Sequence, residues 1–144
     1  MNDIKKILIA IDNGPAIEKI ASKAFHLAQQ VHAAIALVSI VDTPAVIMES
    51  GISVADEIHI LKNDFKKGHQ LLIENVFKDY QVQTFLGEGK PFEEILRVAD
   101  EWEADLIVLG THGRTGLSHV LMGSVAEKVI RHTTKPVLII PERP

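Results

Sequence analysis

Short, wholly apolar runs recur along this chain, separated by longer stretches with helical periodicity. The first run is Ile7-Leu8-Ile9-Ala10-Ile11. Such a run is either a strand buried on both faces or a piece of buried helix. Its isoleucines and the turn residues Asn13-Gly14-Pro15 behind it favour a strand. A strand with no polar face belongs in a parallel sheet covered on both sides. Similar runs occupy Ala34 to Val41, broken only by Ser39, then Leu106 to Leu109 and Val137 to Ile140. Gln81 to Leu86 is a weaker strand that alternates Val82, Thr84 and Leu86 with Gln81, Gln83 and Phe85.

Between these runs lie four helical patterns. Ile17, Ile20, Ala24, Leu27 and Val31 mark one face of a helix over Ala16 to His32, and Pro15 suits its first turn. Val54, Ile58, Leu61, Phe65, Leu72 and Val76 form the stripe of a helix from Ser53 to Lys78. A third helix opens at Pro91 and runs to Glu103, and a fourth carries Val125, Val129 and Ile130. Residues 42–52 read as a loop long enough to be functional, and Gly87 to Pro91 as a turn. The order is βαβαβαβαβ, which implies a parallel sheet with helices on both faces. Crossovers of one hand leave few topologies. The helical stripes are therefore sheet contacts rather than cofactor surfaces. With 144 residues, no repeat and no low-complexity linker, the chain reads as one domain, 1–144.

Composition narrows the chemistry. The chain has no cysteine, which removes disulfides, thiol catalysis and cysteine-held metal, and fits a reducing compartment. Its formal net charge is −4 and it carries no basic stripe, so neither nucleic acid nor an anionic membrane is an expected partner. Lys5-Lys6 before the first apolar run resembles a signal n-region, but Asp12 ends that run too early for a secretory segment. No stretch approaches the roughly 20 apolar residues of a membrane span. The reading is a cytoplasmic protein.

Open α/β sheets bind ligands beyond the carboxyl ends of their strands, where the strand order reverses. The residues following the strands are Asp12-Asn13-Gly14, then Asp42, then Gly110-Thr111-His112-Gly113-Arg114-Thr115-Gly116. In the last of these, Gly110, Gly113 and Gly116 allow sharp turns and close backbone approach, and successive amides there can form an anion nest. Further on, Gly123 precedes Ser124-Val125-Ala126-Glu127, which reads as a capping box with Ser124 as N-cap. A helix start supplies free N–H groups and partial positive charge, and Arg114 can add a charge-assisted bond. The spacing alone leaves two readings open: a phosphate cradle, or turn glycines beside an ordinary capped helix. It is neither a P-loop nor a dinucleotide fingerprint.

Gly110-Thr111-His112-Gly113, followed after nine residues by Gly123-Ser124, resembles the G-x2-G-x9-G-(S/T) signature of ATP-binding universal stress proteins. The opening Ile7 to Asp12, the strand Asp105 to Leu109 and the ending Lys135 to Pro141 are similar to that family as well. The resemblance spans essentially the whole chain. It implies a three-layer α/β/α, Rossmann-like (adenine nucleotide alpha hydrolase-like) fold with five parallel strands in the order 3-2-1-4-5. It also implies an ATP pocket in which Ala10, Asp12 and the main chain of Ile40 hold the adenosine part and Gly110 and Gly113 shape the site. Thr111, His112, Arg114, Thr115, Gly123, Ser124 and Val125 would then surround ribose and phosphates, with or without magnesium. Two departures fall near the nucleoside: Gly14 and Ser39 stand where the family often has Ser and His respectively.

Other constellations carry less. The seven histidines show no zincin spacing, and His26, His32, His59 and His69 fall on expected helices or their ends, so no metal site is expected. Gly116-Leu117-Ser118 is not a nucleophile elbow, and no catalytic residue is assigned. Val137 to Ile140 would be an apolar edge strand, which is a liability unless paired; the resemblance implies a homodimer through it. The resulting expectation is a nucleotide-dependent stress-response module. Its rivals are a slow ATPase or autophosphorylating enzyme, using Thr111, Thr115, Ser118 or Ser124, and a nucleotide-free dimeric interaction protein.

Overall fold

A computed structural model describes residues 3–49, 53–111 and 122–142. Its elements, in chain order, are β1 (Lys6–Ala10), α1 (Ile17–Val31), β2 (Ala34–Asp42), α2 (Thr43–Glu49), α3 (Val54–Asn75), β3 (Val82–Gly89), α4 (Pro91–Glu101), β4 (Leu106–Gly110), α5 (Ser124–His132) and β5 (Val137–Ile140). The five strands form one parallel sheet in the order β3-β2-β1-β4-β5. This is the expected topology, and the expected strands are present with small changes at their ends.

The apolar runs are apolar because both faces of the central strands are covered. Ile7, Leu8 and Ile9 have no exposed surface. Successive residues of a strand point to opposite faces. Ile7 and Ile9 accordingly join Ile35, Leu37 and Val108 under α1 and α3, while Leu8 joins Val38, Ile107 and Leu109 under α4 and α5. On α1 the contact face is made of small residues, with Ala21, Ala24 and Ala28 fully buried, so the helix can lie close to the sheet. Helices that connect strands leftwards from β1 share one face and those that return to the right share the other, as crossovers of a single hand require.

Two segments depart from expectation. Residues 43–49, read as loop, form α2. The Asp42 carboxylate accepts from the Ala45 N–H at 3.1 Å, Pro44 tolerates the first helical turn, and Val46 is buried beside Val41 and Phe65. Residues 87–89, read as turn, continue β3, because β2 is long enough to pair Ile40 with Gly87, Val41 with Glu88 and Asp42 with Gly89. A Cβ on Gly87 would stand 3.0 Å from Ile40 Cδ1, so glycine there reflects tight cross-strand packing as well as turn chemistry. Chain reversal is instead concentrated at Gly89, where φ is 137°, and Pro91 opens α4 as expected. Helices α3 and α4 end earlier than their sequence patterns, with Asp79 and Glu103 in the left-handed region just beyond them.

Candidate functional site

The strand order reverses at β1: the chain leaves it towards β2 and β3 and later returns on its other side as β4 and β5. Beyond the carboxyl ends of β1, β2 and β4 lies a cavity of about 660 Å³. That volume falls within the usual range of small-molecule sites. Its floor is made by Ala10 at the end of β1, Asp12 beyond it, Ile40 on β2, and Gly110 and Thr111 at the end of β4. Gly123, Ser124, Val125 and Ala126 bring in the start of α5. Val46 on α2 and Leu61 and Phe65 on α3 close the apolar wall.

Each wall has a local cause. Asp12 Oδ1 accepts from the Gly14 N–H at 2.8 Å, an Asx turn that holds the carboxylate against the start of the β1–α1 connection. The Val38 carbonyl accepts from Ile11 N at 2.9 Å, so Val38 directs its backbone towards β1. Strand residues alternate, and Ile40, two further on, turns its N–H and C=O to the same side, past the last residue of β1. Those groups are therefore aimed along the cavity floor. A side chain at Gly110 would force its neighbours to shift: a Cβ would lie 2.5 Å from Ile20 Cδ1 and 2.9 Å from Glu142 Cδ, the outer ends of two side chains. The chain after β5 passes the same point, with Glu142 N donating to Thr111 Oγ1 at 3.2 Å.

The start of α5 differs from the expected capping box. Gly123, not Ser124, is the N-cap, and no side chain caps the helix. Ser124 is the first helical residue, and Glu127 turns away to pair with Arg131 one turn on. Gly123 is tied down by its own backbone, donating to the Thr111 carbonyl and accepting from Glu127 N at 3.0 Å. The N–H groups of Ser124, Val125 and Ala126 have no acceptor within the helix by construction. All three residues line the cavity.

Among the residues singled out in the sequence, Ala10, Asp12, Ile40, Gly110, Thr111, Gly123, Ser124 and Val125 all meet around this one cavity. His112, Gly113, Arg114, Thr115, Gly116 and Ser118 lie outside the described residues. One feature beside the site was missed. Ser39 and His69, 1 % and 2 % exposed, are the two buried polar residues of the described core, and they meet with Ser39 Oγ 2.7 Å from His69 Nε2. Burial pushes the His69 pKa down to about 4, so the imidazole is neutral at pH 7. The α3 stripe held the signal: it skips from Phe65 to Leu72, and the gap on that face is His69.

The fold is a Rossmann-like α/β sheet, and its cavity lies at the reversal point where open sheets of this kind take their ligands. The chain belongs to the Universal stress protein family, which it matches over residues 3–141. It is 34% identical to the universal stress protein YxiE of Bacillus subtilis, over 94% of this chain and 97% of that one. Among solved structures it is similar to the protein MJ0577 of Methanocaldococcus jannaschii, with 27% identity, a TM-score of 0.78 and 99% of each chain covered. It also shares its fold with a universal stress protein from Archaeoglobus fulgidus in complex with dAMP, with 24% identity, a TM-score of 0.68 and 96% and 99% of the chains covered.

Proposed function

We propose that the chain is a single-domain, ATP-binding universal stress protein that works in the cytoplasm as a nucleotide-dependent signalling module. The observation that carries this reading is the convergence of Asp12, the Ile40 backbone, Gly110 and the start of α5 on one cavity. Its floor suits a nucleoside, with a carboxylate and backbone edge groups to meet hydroxyl and amine donors and acceptors. Its α5 end suits phosphate, because helix N-terminal amides favour anions. In this reading His112, Gly113, Arg114 and Thr115 complete the phosphate end. Magnesium, which keeps several waters and leans on the phosphates themselves, would need few protein carboxylates. Among the described residues no helix is long and apolar enough to cross a membrane.

No general base is assigned to the phosphate end, so ATP turnover is slow or absent in this reading. The test is mass spectrometry of the ligand released from purified protein, followed by calorimetry with ATP, ADP and AMP. A bound adenine nucleotide, or micromolar affinity for one, supports the reading. Protein that carries none and takes up none at millimolar concentration defeats it. Covalent label from γ-labelled ATP would favour an autophosphorylating enzyme instead.

We further infer a homodimer through β5, an edge strand with Leu138 still 37 % exposed. An uncovered apolar edge is normally paired or blunted. Ile139 packs against the core beneath α4 and α5, so a charge there would test folding rather than assembly. Leu138→Lys is the cleaner probe: it is expected to convert a dimer into a monomer in sedimentation velocity. A sedimentation coefficient identical to that of the parent dimer rules out pairing through this face.

A further inference from the structure

The buried pair behind the cavity has a defined direction. Ser39 Oγ lies 2.5 Å from the Ile11 carbonyl oxygen and 2.7 Å from His69 Nε2. A serine has one proton to give and a carbonyl has none, so Ser39 donates to Ile11. His69 Nε2 must then carry a proton and donate to Ser39. The neutral imidazole is left with a bare Nδ1, and that buried atom has no hydrogen-bond partner among the described residues. Leaving a buried acceptor unmet opposes stability, and an apolar side chain of similar size would avoid the loss. Stability alone therefore does not explain the pair.

Its placement does. Ile11 is the first residue beyond β1, where the sheet ladder is running out. Both of its backbone polar groups are held by β2: the N–H by the Val38 carbonyl and the C=O by the Ser39 hydroxyl. The next residue is Asp12, which lines the cavity. Helix α3 braces the same stretch twice. His69 orients Ser39, and Gly68 beside it lets Asn13 approach so closely that a Cβ there would lie 3.2 Å from Asn13 Oδ1. One turn earlier on α3, Phe65 lines the cavity.

We propose that His69 and Ser39 are positioning residues that lock the Ile11 peptide and so aim the Asp12 carboxylate into the ligand cavity. This rests on the nucleotide-binding reading of that cavity and adds to it a link between α3 and the nucleoside wall. Without the relay the Ile11–Asp12 peptide can rotate, and the carboxylate loses its fixed direction while the surrounding core stays packed.

The test is calorimetric titration of ATP into the full chain and its variants. Ser39→Ala and His69→Leu are each expected to weaken ATP by about tenfold, the equivalent of one lost hydrogen bond. The double variant should lose no more than either single one, because both break one chain of contacts. His69→Gln, whose amide can donate from nearly the same place, should recover affinity to within about threefold of the parent. Melting temperatures should not follow this order. Parental affinity in Ser39→Ala, or a glutamine variant as weak as the leucine one, overturns the proposal. If the parent binds no adenine nucleotide, the reading of the cavity fails, and hydrogen exchange of the Gly14 amide, whose N–H rests on Asp12, decides the positioning claim alone. Exchange at least about tenfold faster in Ser39→Ala supports it, and unchanged exchange overturns it.

Discussion

Lowering the pH from 7 to 4 is expected to destabilise this protein by about 3 kcal/mol more than it destabilises a His69→Leu variant. The cause is the buried imidazole, whose pKa falls from 6.5 in the unfolded chain to about 4 in the fold. Between those two values the unfolded chain binds a proton that the folded chain refuses. Stability is complete above pH 6.5, declines as pH falls through the window, and loses no more from this residue once the pH is below 4. Leucine removes the titration and the orphaned Nδ1 together, so at pH 7 the variant should be no more than about 1 kcal/mol less stable than the parent. Urea unfolding at several pH values between 7 and 4 reads this directly. Superimposable pH dependences for parent and variant would mean that His69 is not held neutral in the fold.

The fold was legible because strand burial writes itself into composition. Ile7 to Ile9 and Leu106 to Leu109 have helices above and below them and so carry no polar residue. The misreadings occurred where pattern and context disagree. Gly87-Glu88-Gly89 carries strong turn residues, yet the long β2 offers it a ladder to join, and tertiary pairing overrides local preference. Residues 43–49 are too few to show a helical period. Only the Asp42 cap and the docking of Val46 against Phe65 reveal the helix, and the latter joins residues far apart in the chain.

The site was legible to the extent that backbone builds it. Glycines at 110 and 123 and the acid at 12 are visible in a sequence because their roles depend on local geometry. Gly110 is explained more fully by its neighbours, since a Cβ there would press on the ends of the Ile20 and Glu142 side chains. The capping box failed because a pattern of Ser and Glu three apart states a possibility, not a competition: Arg131 one turn on takes the Glu127 carboxylate, and Gly123 takes the N-cap. The His69–Ser39 contact was invisible for another reason. It spans thirty residues and joins a helix to a strand. No periodicity encodes which buried polar residue faces which, although the break in the α3 stripe marked where to look.

Replacing Ser124 with glutamate should move stability and affinity in opposite directions. Ser124 is exposed, is the first residue of α5 and makes no capping bond, so the substitution costs no packing and no cap. A carboxylate in the first helical turn interacts favourably with the helix dipole, worth about 0.3–1 kcal/mol. The melting temperature should therefore hold or rise. The same carboxylate would stand at the cavity wall where the phosphates are proposed to sit. Like charges brought together in a partly desolvated site cost several kcal/mol, so ATP affinity should fall by about 100-fold or more. Adenosine, which has no phosphate, should bind Ser124→Glu as it binds the parent. Calorimetry with both ligands, beside thermal unfolding, separates the terms. A variant that binds ATP and adenosine with parental affinities would remove phosphate from the start of α5, whatever else the cavity holds. Equal losses for both ligands would show that the substitution had deformed the cavity instead of repelling a charge within it.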